Sequence, residues 1–342
     1  MINPIYALLI ATAIAALFAM LFWPQKGFFW QFYKHPHLAE RILMEDALKH
    51  LYHQKAQGQR ASLDSVAGAL AAQRDECTKV LARLEEKHLI QTLNNTFELT
   101  SDGEAYALRI IRTHRLWELY FADKTGYSEL EWHNRAEERE HFTSESEAEA
   151  LAEKMQFPLF DPHGDPIPTV EGELPPTEGI PLSDLETDEL ARVVHLEDEP
   201  DTIFAQLIAE GLAPGMQIRI IDKTPKRVLF TANGEEIRLA PVVAANVTVK
   251  PLPKETAQEG PFESLISLNF GQTGVVQNIA KSCRGLQRRR LMDLGIVPGT
   301  EITSVMPSAG GNPIAYNIRG AMIALRTEQA SMIHIKRKEA AA

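Results

Sequence analysis

Cysteine is nearly absent from this chain: 342 residues contain 2, Cys77 and Cys283, far apart in sequence. That argues against a disulfide framework and against a thiolate zinc site, and it fits a reducing compartment. Net positive charge is absent too. With 35 Lys and Arg against 46 Asp and Glu, the formal charge is -11, so no global field draws the chain to nucleic acid or to anionic lipid. Any DNA contact must come from a local basic patch. Phosphate loops, nucleophile elbows and a Ser/His/Asp pattern are lacking, and the chain is not read as an enzyme. Its length suits two or three domains.

One long uncharged run is present. Residues 5–23 read IYALLIATAIAALFAMLFW, without charge or proline, long enough to cross a bilayer core as a helix. Residues 1–4 offer no basic start for a signal peptide. The first cations, Lys26, Lys34 and Arg41, follow the run, so the positive-inside bias puts the remaining chain in the cytoplasm. Phe28, Phe29, Trp30, Phe32 and Tyr33 suit an aromatic belt. The expectation is a single-pass anchor with its juxtamembrane segment over residues 1–37, in the inner membrane.

Residues 41–54 place Ile42, Leu43, Ala47, Leu48 and Leu51 at helical period. Two more helices are expected over 61–70 and 76–88. Leu89-Ile90-Gln91-Thr92-Leu93, Asn94-Asn95 and Thr96-Phe97-Glu98-Leu99-Thr100 read as a hairpin. Three helices and a hairpin are the order of a winged helix-turn-helix, over residues 38–113. A long helix follows through about residue 123, with Ser101 and Glu104 matching a capping box. Another starts near Ser128, and a third covers 144–155.

The chemistry concentrates in His114-Arg115-Leu116-Trp117-Glu118 and in His133-Asn134-Arg135-Ala136-Glu137-Glu138-Arg139-Glu140-His141. Positions i, i+3 and i+4 share a helix face, so Glu137, Glu140 and His141 can point at one ion. Imidazole and carboxylate ligands without thiolate suit Mn(II), Fe(II), Co(II), Ni(II) or Zn(II). A solvated acidic helix face is the other reading of the same pattern. Residues 157–168 are punctuated by proline and glycine and end in Asp161-Pro162-His163-Gly164-Asp165-Pro166-Ile167-Pro168; residues 169–181 read as a linker.

An internal repeat follows. Leu207-Ile208-Ala209-Glu210-Gly211-Leu212-Ala213-Pro214-Gly215 aligns without gaps to Leu291-Met292-Asp293-Leu294-Gly295-Ile296-Val297-Pro298-Gly299, and each copy leads into alternating strand-like residues. Two related small β-barrels are expected, over 182–252 and 253–342.

With these pieces the chain resembles the iron- and manganese-dependent repressors of the diphtheria-toxin-repressor family, over roughly residues 38–252. The carriers are the winged-helix order, HRLWE at 114–118, the His133/Glu137/Glu140/His141 spacing and DPHGDPIP at 161–168. Residues 265–336 resemble a FeoA domain, an SH3-like module associated with ferrous iron transport, on Leu291 to Gly299 and Asn317-Ile318-Arg319-Gly320. The fold implied is multidomain α+β: a transmembrane helix, a winged helix-turn-helix, a helical metal-binding and dimerisation domain over 114–168, and two SH3-like barrels.

The resemblance implies a main metal site of Asp46, His114, Glu137, Glu140 and His141. It implies a second site of Glu118 and His133 with His114 or its neighbours, and ligands lent by the first SH3-like domain, with Glu197, Glu199 and Asp201 as loose candidates. Glu137 stands where iron-responsive members often have cysteine, so the match leans to the manganese type. Lys49 stands where manganese regulators supply a carboxylate. The implied cofactor is Mn(II) or Fe(II), or another divalent transition metal.

A recognition helix over about 75–87 offers Arg74, Thr78, Lys79 and Arg83 to double-stranded DNA, with Arg60 adding a phosphate contact. Asp75, Glu76, Glu85 and Glu86 on the same segment oppose phosphate. The reading is a membrane-tethered, metal-responsive, homodimeric DNA-binding regulator. The alternative is a metal-sensing adaptor that controls a ferrous iron transporter by protein contact without DNA.

Overall fold

The computed structural model describes residues 36–233, 235–253, 256, 260 and 262–338. The chain divides into two compact units, Met1–Ile111 and Arg112–Ala342.

In the first unit, helices α1 (Pro36–Ala56), α2 (Leu63–Ala69) and α3 (Arg74–Glu86) precede the hairpin β1 (Ile90–Leu93) and β2 (Thr96–Leu99), and α4 (Ser101–Lys124) begins. The hairpin register pairs Leu93 with Thr96. Asn94 and Asn95 both take positive φ, 51° and 63°, as a two-residue type I′ turn demands, and asparagine tolerates this conformation better than most residues. The apolar positions at helical spacing meet in one core: Ala47, Leu48 and Leu51 of α1, Val66 of α2, and Cys77, Val80, Leu81 and Leu84 of α3. Each large side chain buried here is worth about 1.5–3 kcal/mol relative to exposure. Cys77 is thus a core residue of the third helix and not a surface thiol.

The α4 cap differs from the expected Ser101/Glu104 box. Thr100 Oγ1 accepts the backbone N–H of Gly103 at 3.1 Å, so the cap is one residue earlier. Glu104 instead meets Lys55 Nζ at 2.7 Å. Threonine and serine are both good caps, and the sequence offered two adjacent choices.

The second unit begins within α4 and continues through α5 (Glu129–Glu140) and α6 (Glu145–Lys154). Ser128 and Ser144 cap these helices, each in a box with the glutamate three residues on. Two six-stranded antiparallel sheets follow. The first holds β3 (Ile180–Pro181), β4 (Leu190–Leu196), β5 (Gln217–Thr224), β6 (Arg227–Ala232), β7 (Glu235–Leu239) and β8 (Val247–Pro251) in the order β3-β8-β4-β5-β6-β7. The second holds β9 (Glu263–Ser264), β10 (Thr273–Ile279), β11 (Glu301–Pro307), β12 (Ile314–Ile318), β13 (Ala321–Leu325) and β14 (Ile333–Arg337) in the order β13-β12-β11-β10-β14-β9. Read from the other edge, the second order is the first. Register shifts also recur in equivalent strands, at Val193/His195 and Val276/Asn278, and at Ile220/Asp222 and Ser304/Met306. The sequence repeat is therefore a repeat of topology and of bulges, and each copy has its own core, around Phe230 and Leu196 in the first and Tyr316 and Ile333 in the second.

The second β domain is fastened to the C-terminal end of α4. Leu286 donates its backbone N–H to Thr125 O at 3.3 Å, and Arg284 lies 3.8 Å from Asp123. Gly285, at φ +57°, leaves no room for a side chain: a Cβ there would stand 2.5 Å from Thr125 O and 2.6 Å from Ala122 O. Gly285→Val is therefore expected to detach this domain from α4. Amide exchange should quicken across residues 122–128 while β10 and β14 stay protected; unchanged exchange at 122–128 would contradict the docking.

The expected inner-membrane location is corrected. Among the described residues no helix is long and apolar enough to cross a membrane. The 24-residue α4 carries Asp102, Glu104, Arg109, Arg112, Arg115, Glu118, Asp123 and Lys124, charges a bilayer core would not accept. The run at residues 5–23 lies outside the described residues, and the location inferred from it is withdrawn.

Candidate metal centre

His114 and Glu118 are one turn apart on α4, and His133 and Glu140 lie on α5, so four of the expected ligands come from two rigid helices. Their geometry centres on His114. Its Nδ1 lies 2.5 Å from Glu140 Oε2, and its Nε2 lies 3.1 Å from Glu118 Oε1 and 3.2 Å from His133 Nδ1. One imidazole thus faces a separate carboxylate with each ring nitrogen. His114, Glu118 and Glu140 are all buried. His114, Glu118 and His133 offer ligand atoms close enough to hold one ion.

His141 is the residue that ends α5, and its Nε2 lies 3.4 Å from Glu140 Oε1. Glu137 is half exposed, and its Oε1 lies 3.6 Å from His133 Nε2. The structure therefore groups His114, Glu140 and His141 on one side and Glu118, His133 and Glu137 on the other, with His114 between them. Asp46 is on α1, in the other unit.

A carboxylate from the first β domain also reaches this cluster. Asp198 Oδ2 is 3.3 Å from His133 Nδ1, and Glu199 Oε1 is 3.7 Å from His133 Nε2. Of the three loose candidates Glu199 approaches His133; Asp201 starts the helix Asp201–Ala209, and Glu197 donates its N–H to Asn246 O at 2.9 Å while its carboxyl interacts with the charge of His195 instead. Asp198 was missed, because an acidic run at the end of a strand gives no sign of which carboxylate turns inward.

The DPHGDPIP run makes a tight turn built on Asp161. Its Oδ1 accepts the N–H groups of His163, Gly164 and Asp165, each at 2.9 Å. Arg115, from the HRLWE run, holds the turn to α4 by donating to Pro166 O at 2.5 Å and to Asp165 at 3.1 Å. Asp165 in turn lies 3.2 Å from His195 of β4. The turn thus brings His163 beside Glu118, at 4.0 Å.

The electrostatics are those of a preassembled donor set. Burial pushes the Glu118 carboxyl up, but the facing imidazoles of His114, His133 and His163 outweigh it and hold it well below the usual range. Burial likewise opposes charge on His133, but hydrogen bonds to Asp198, Glu118 and Glu137 prevail and raise its pKa. Burial raises Asp165, yet His195 and Arg115 bring it down to about 2. Asp161 is raised, first by burial and then by Asp165 and Glu118, against the pull of Arg115.

The raised pKa of His133 gives a signed expectation. An imidazole must be deprotonated to ligate, so an ion bound there displaces a proton. Mn(II) affinity of the full chain should rise with pH, by about tenfold per pH unit for one displaced proton. Equilibrium dialysis at a series of pH values measures the slope, and a flat profile would mean that His133 takes no part.

These donors fit a divalent transition metal: imidazole nitrogens and carboxylate oxygens, buried, without thiolate. Comparison with known proteins agrees. A family profile described as iron dependent repressor, metal binding and dimerisation domain matches residues 100–169, the segment that carries all of the α4 and α5 donors. This part of the chain is thus similar to the metal-binding and dimerisation domain of iron-dependent repressors. The FeoA domain profile matches residues 180–251 and 264–337, the two β repeats that follow it. The diphtheria toxin repressor of Corynebacterium efficiens is 29% identical over 184 residues, covering 51% of this chain and 80% of that protein. A probable metal transport system membrane protein of Chlamydia trachomatis is 35% identical over 83 residues, covering 24% of this chain but only 18% of its own length. The fold also matches a solved manganese-dependent transcriptional repressor in complex with manganese, with TM-score 0.56 and 24% identity, covering 61% of this chain and 100% of that one.

In the first unit Arg74, Thr78, Lys79 and Arg83 lie on α3 and Arg60 lies in the connection between α1 and α2, and all five are exposed. Arg74 is paired with Asp64, Arg83 with Glu40 at 2.5 Å and Arg60 with Glu98 at 3.5 Å. Thr78 donates its hydroxyl to Arg74 O at 2.8 Å, and Lys79 is exposed on the same helix. Exposed pairs of this kind contribute about 0–1 kcal/mol each, little enough for phosphate to displace the carboxylate.

Proposed function

We propose that this chain is a divalent-metal-responsive, DNA-binding transcriptional repressor that acts as a homodimer, with Mn(II) or Fe(II) as its effector. The observation that carries the reading is the His114 imidazole, buried between Glu140 and Glu118 on its two ring nitrogens. His114, Glu140 and His141 would hold one ion, and His114, Glu118, His133 and Asp198 a second. Glu137 and Asp46 are assigned as further ligands, Asp46 on the resemblance alone. A bound divalent ion would supply positive charge beside the buried carboxylates that flank His114. The protein's own part is linkage: an arrangement of the chain that binds the ion better is populated more as the ion is added. Arg60, Arg74, Thr78, Lys79 and Arg83 are the proposed DNA contacts of α3 and its surroundings, by exchange of carboxylate partners for phosphate.

The test uses the full chain under anaerobic conditions. Mn(II) and Fe(II) are titrated while capture of fragments of the source genome is followed, beside a His141→Ala variant. Capture of discrete fragments that requires metal and fails in the variant is expected. Metal binding with no fragment captured, even at low salt, would end this reading and favour the adaptor, for which the two FeoA domains are the present support.

A further inference from the structure

Strands β7 and β13 occupy the same place in the two β repeats. Ile237 pairs with Phe230 as Ile323 pairs with Tyr316, and each isoleucine packs into its own core. Leu239 and Leu325 are buried alike. The exposed positions differ: Glu235, Glu236 and Arg238 in β7 stand where β13 has Ala321, Met322 and Ala324. Among the described residues each strand ends its sheet. An edge strand offers unpaired backbone groups to other strands, and charged side chains are a common guard against this. β7 carries that guard and β13 does not. The free groups of β13 follow from its turn. Arg319 and Gly320, at φ 51° and 86°, make a two-residue hairpin loop, so Ile318 and Ala321 form a hydrogen-bonded pair, as do Tyr316 with Ile323. The N–H and C=O groups of Met322 and Ala324 therefore point away from the sheet. The adjoining outer face is apolar. Met306, Ala315 and Ala324 lie in one row across three strands, where the first repeat has Asp222, Leu229 and Arg238. Met306 and Met322 are 54% and 57% exposed, and methionine adapts to varied apolar partners.

We propose that β13 is a docking edge for an extended segment of another protein, with apolar residues at alternate positions and a carboxylate at each end. The segment adds a strand to the sheet: backbone hydrogen bonds to Met322 and Ala324 hold it, and its apolar side chains continue the row of Met306, Ala315 and Ala324. Arg319 and Arg326, both exposed, bracket β13 and select the carboxylates. The same two arginines disfavour a second copy of the chain as occupant. Antiparallel pairing of β13 with itself about Ile323 sets Gly320 opposite Arg326, so at each end Arg319 of one copy stands beside Arg326 of the other, and like charges facing across strands are unfavourable.

The probe is a capped peptide of alternating valine and threonine with an aspartate at each end, added to the full chain; a lysine-ended peptide is the control. The aspartate-ended peptide is expected to slow amide exchange at Met322 and Ala324 and to bind roughly tenfold more tightly than the control. Ala324→Pro removes one outward N–H and leaves the ladder to β12 in place. Met322→Glu combined with Ala324→Arg copies the exposed face of β7. Each should weaken peptide binding about tenfold while β10 and β14 stay as protected as in wild type. Absence of added protection at Met322 and Ala324 would overturn the proposal, as would equal binding by wild type and both variants. Protection at these amides that grows with protein concentration, without peptide, would make a second copy the occupant and overturn it too.

Discussion

His114→Ala is expected to remove metal binding from both donor groups at once and to destabilise the metal-free protein. The reason is its position. Nδ1 faces Glu140 and Nε2 faces Glu118, and both carboxylates are almost fully shielded from water. Deleting the imidazole leaves buried carboxylates without one of their partners. Breaking a buried ionic pair from one side costs about 3–5 kcal/mol, because the remaining charge stays desolvated. His133 still faces Glu118 at 3.2 Å, so the lower end of that range is expected at Glu118; Glu140 keeps His141 at 3.4 Å. Urea unfolding of chelator-treated wild type and variant gives the stability difference, and Mn(II) titration followed by electron paramagnetic resonance gives the binding. A variant as stable as wild type, with Mn(II) bound as before, would place the metal chemistry elsewhere.

Gly164→Ala is expected to cost roughly 3–5 kcal/mol, a loss tied to backbone strain and overlap and not to any lost contact. Gly164 has φ +100°, and a Cβ there would stand 2.0 Å from Val194 O and 2.8 Å from His195 Cα. These are backbone atoms of β4, which cannot swing aside as a side chain would. The turn would have to lift away from the sheet, breaking the Leu196-to-His163 hydrogen bond and the His195–Asp165 contact. Metal binding should weaken as well, since Asp198 follows β4 and its approach to His133 depends on that seat. A thermal melt of the variant within a degree of wild type would contradict the close packing of turn against strand.

Local pattern carried much of the architecture into the sequence. The helices with their serine caps at 128 and 144, the Asn-Asn hairpin and the paired Pro-Gly repeats all rest on interactions between near neighbours, and the structure has them within a few residues of their expected bounds. His114, Glu118, His133, Glu140 and His141 were legible for a similar reason, since helical spacing puts them on defined faces. What the sequence withheld depends on tertiary approach. Asp198 reaches His133 only because β4 leads out beside α5. That the buried His163 Nε2 has no hydrogen-bond partner among the described residues becomes visible only once Asp161, Phe204 and Trp132 surround it. Arg115 showed as one more charged helix residue until Pro166 and Asp165 came within reach. The carboxylate partners of Arg60, Arg74 and Arg83 were hidden likewise; Glu40, Asp64 and Glu98 are distant or unremarkable in sequence and decide how much of the basic surface is already engaged.

The central claim is that the buried histidine and carboxylate cluster of α4 and α5 is a metal centre. Crystals of the full chain grown with Mn(II), measured for anomalous scattering at an energy above the manganese edge, test it most directly. The account predicts anomalous peaks within bonding distance of His114, with Glu118 and His133 on one side and Glu140 and His141 on the other. Peaks confined to surface carboxylates, with His114 still hydrogen-bonded directly to Glu118 and Glu140, would contradict it.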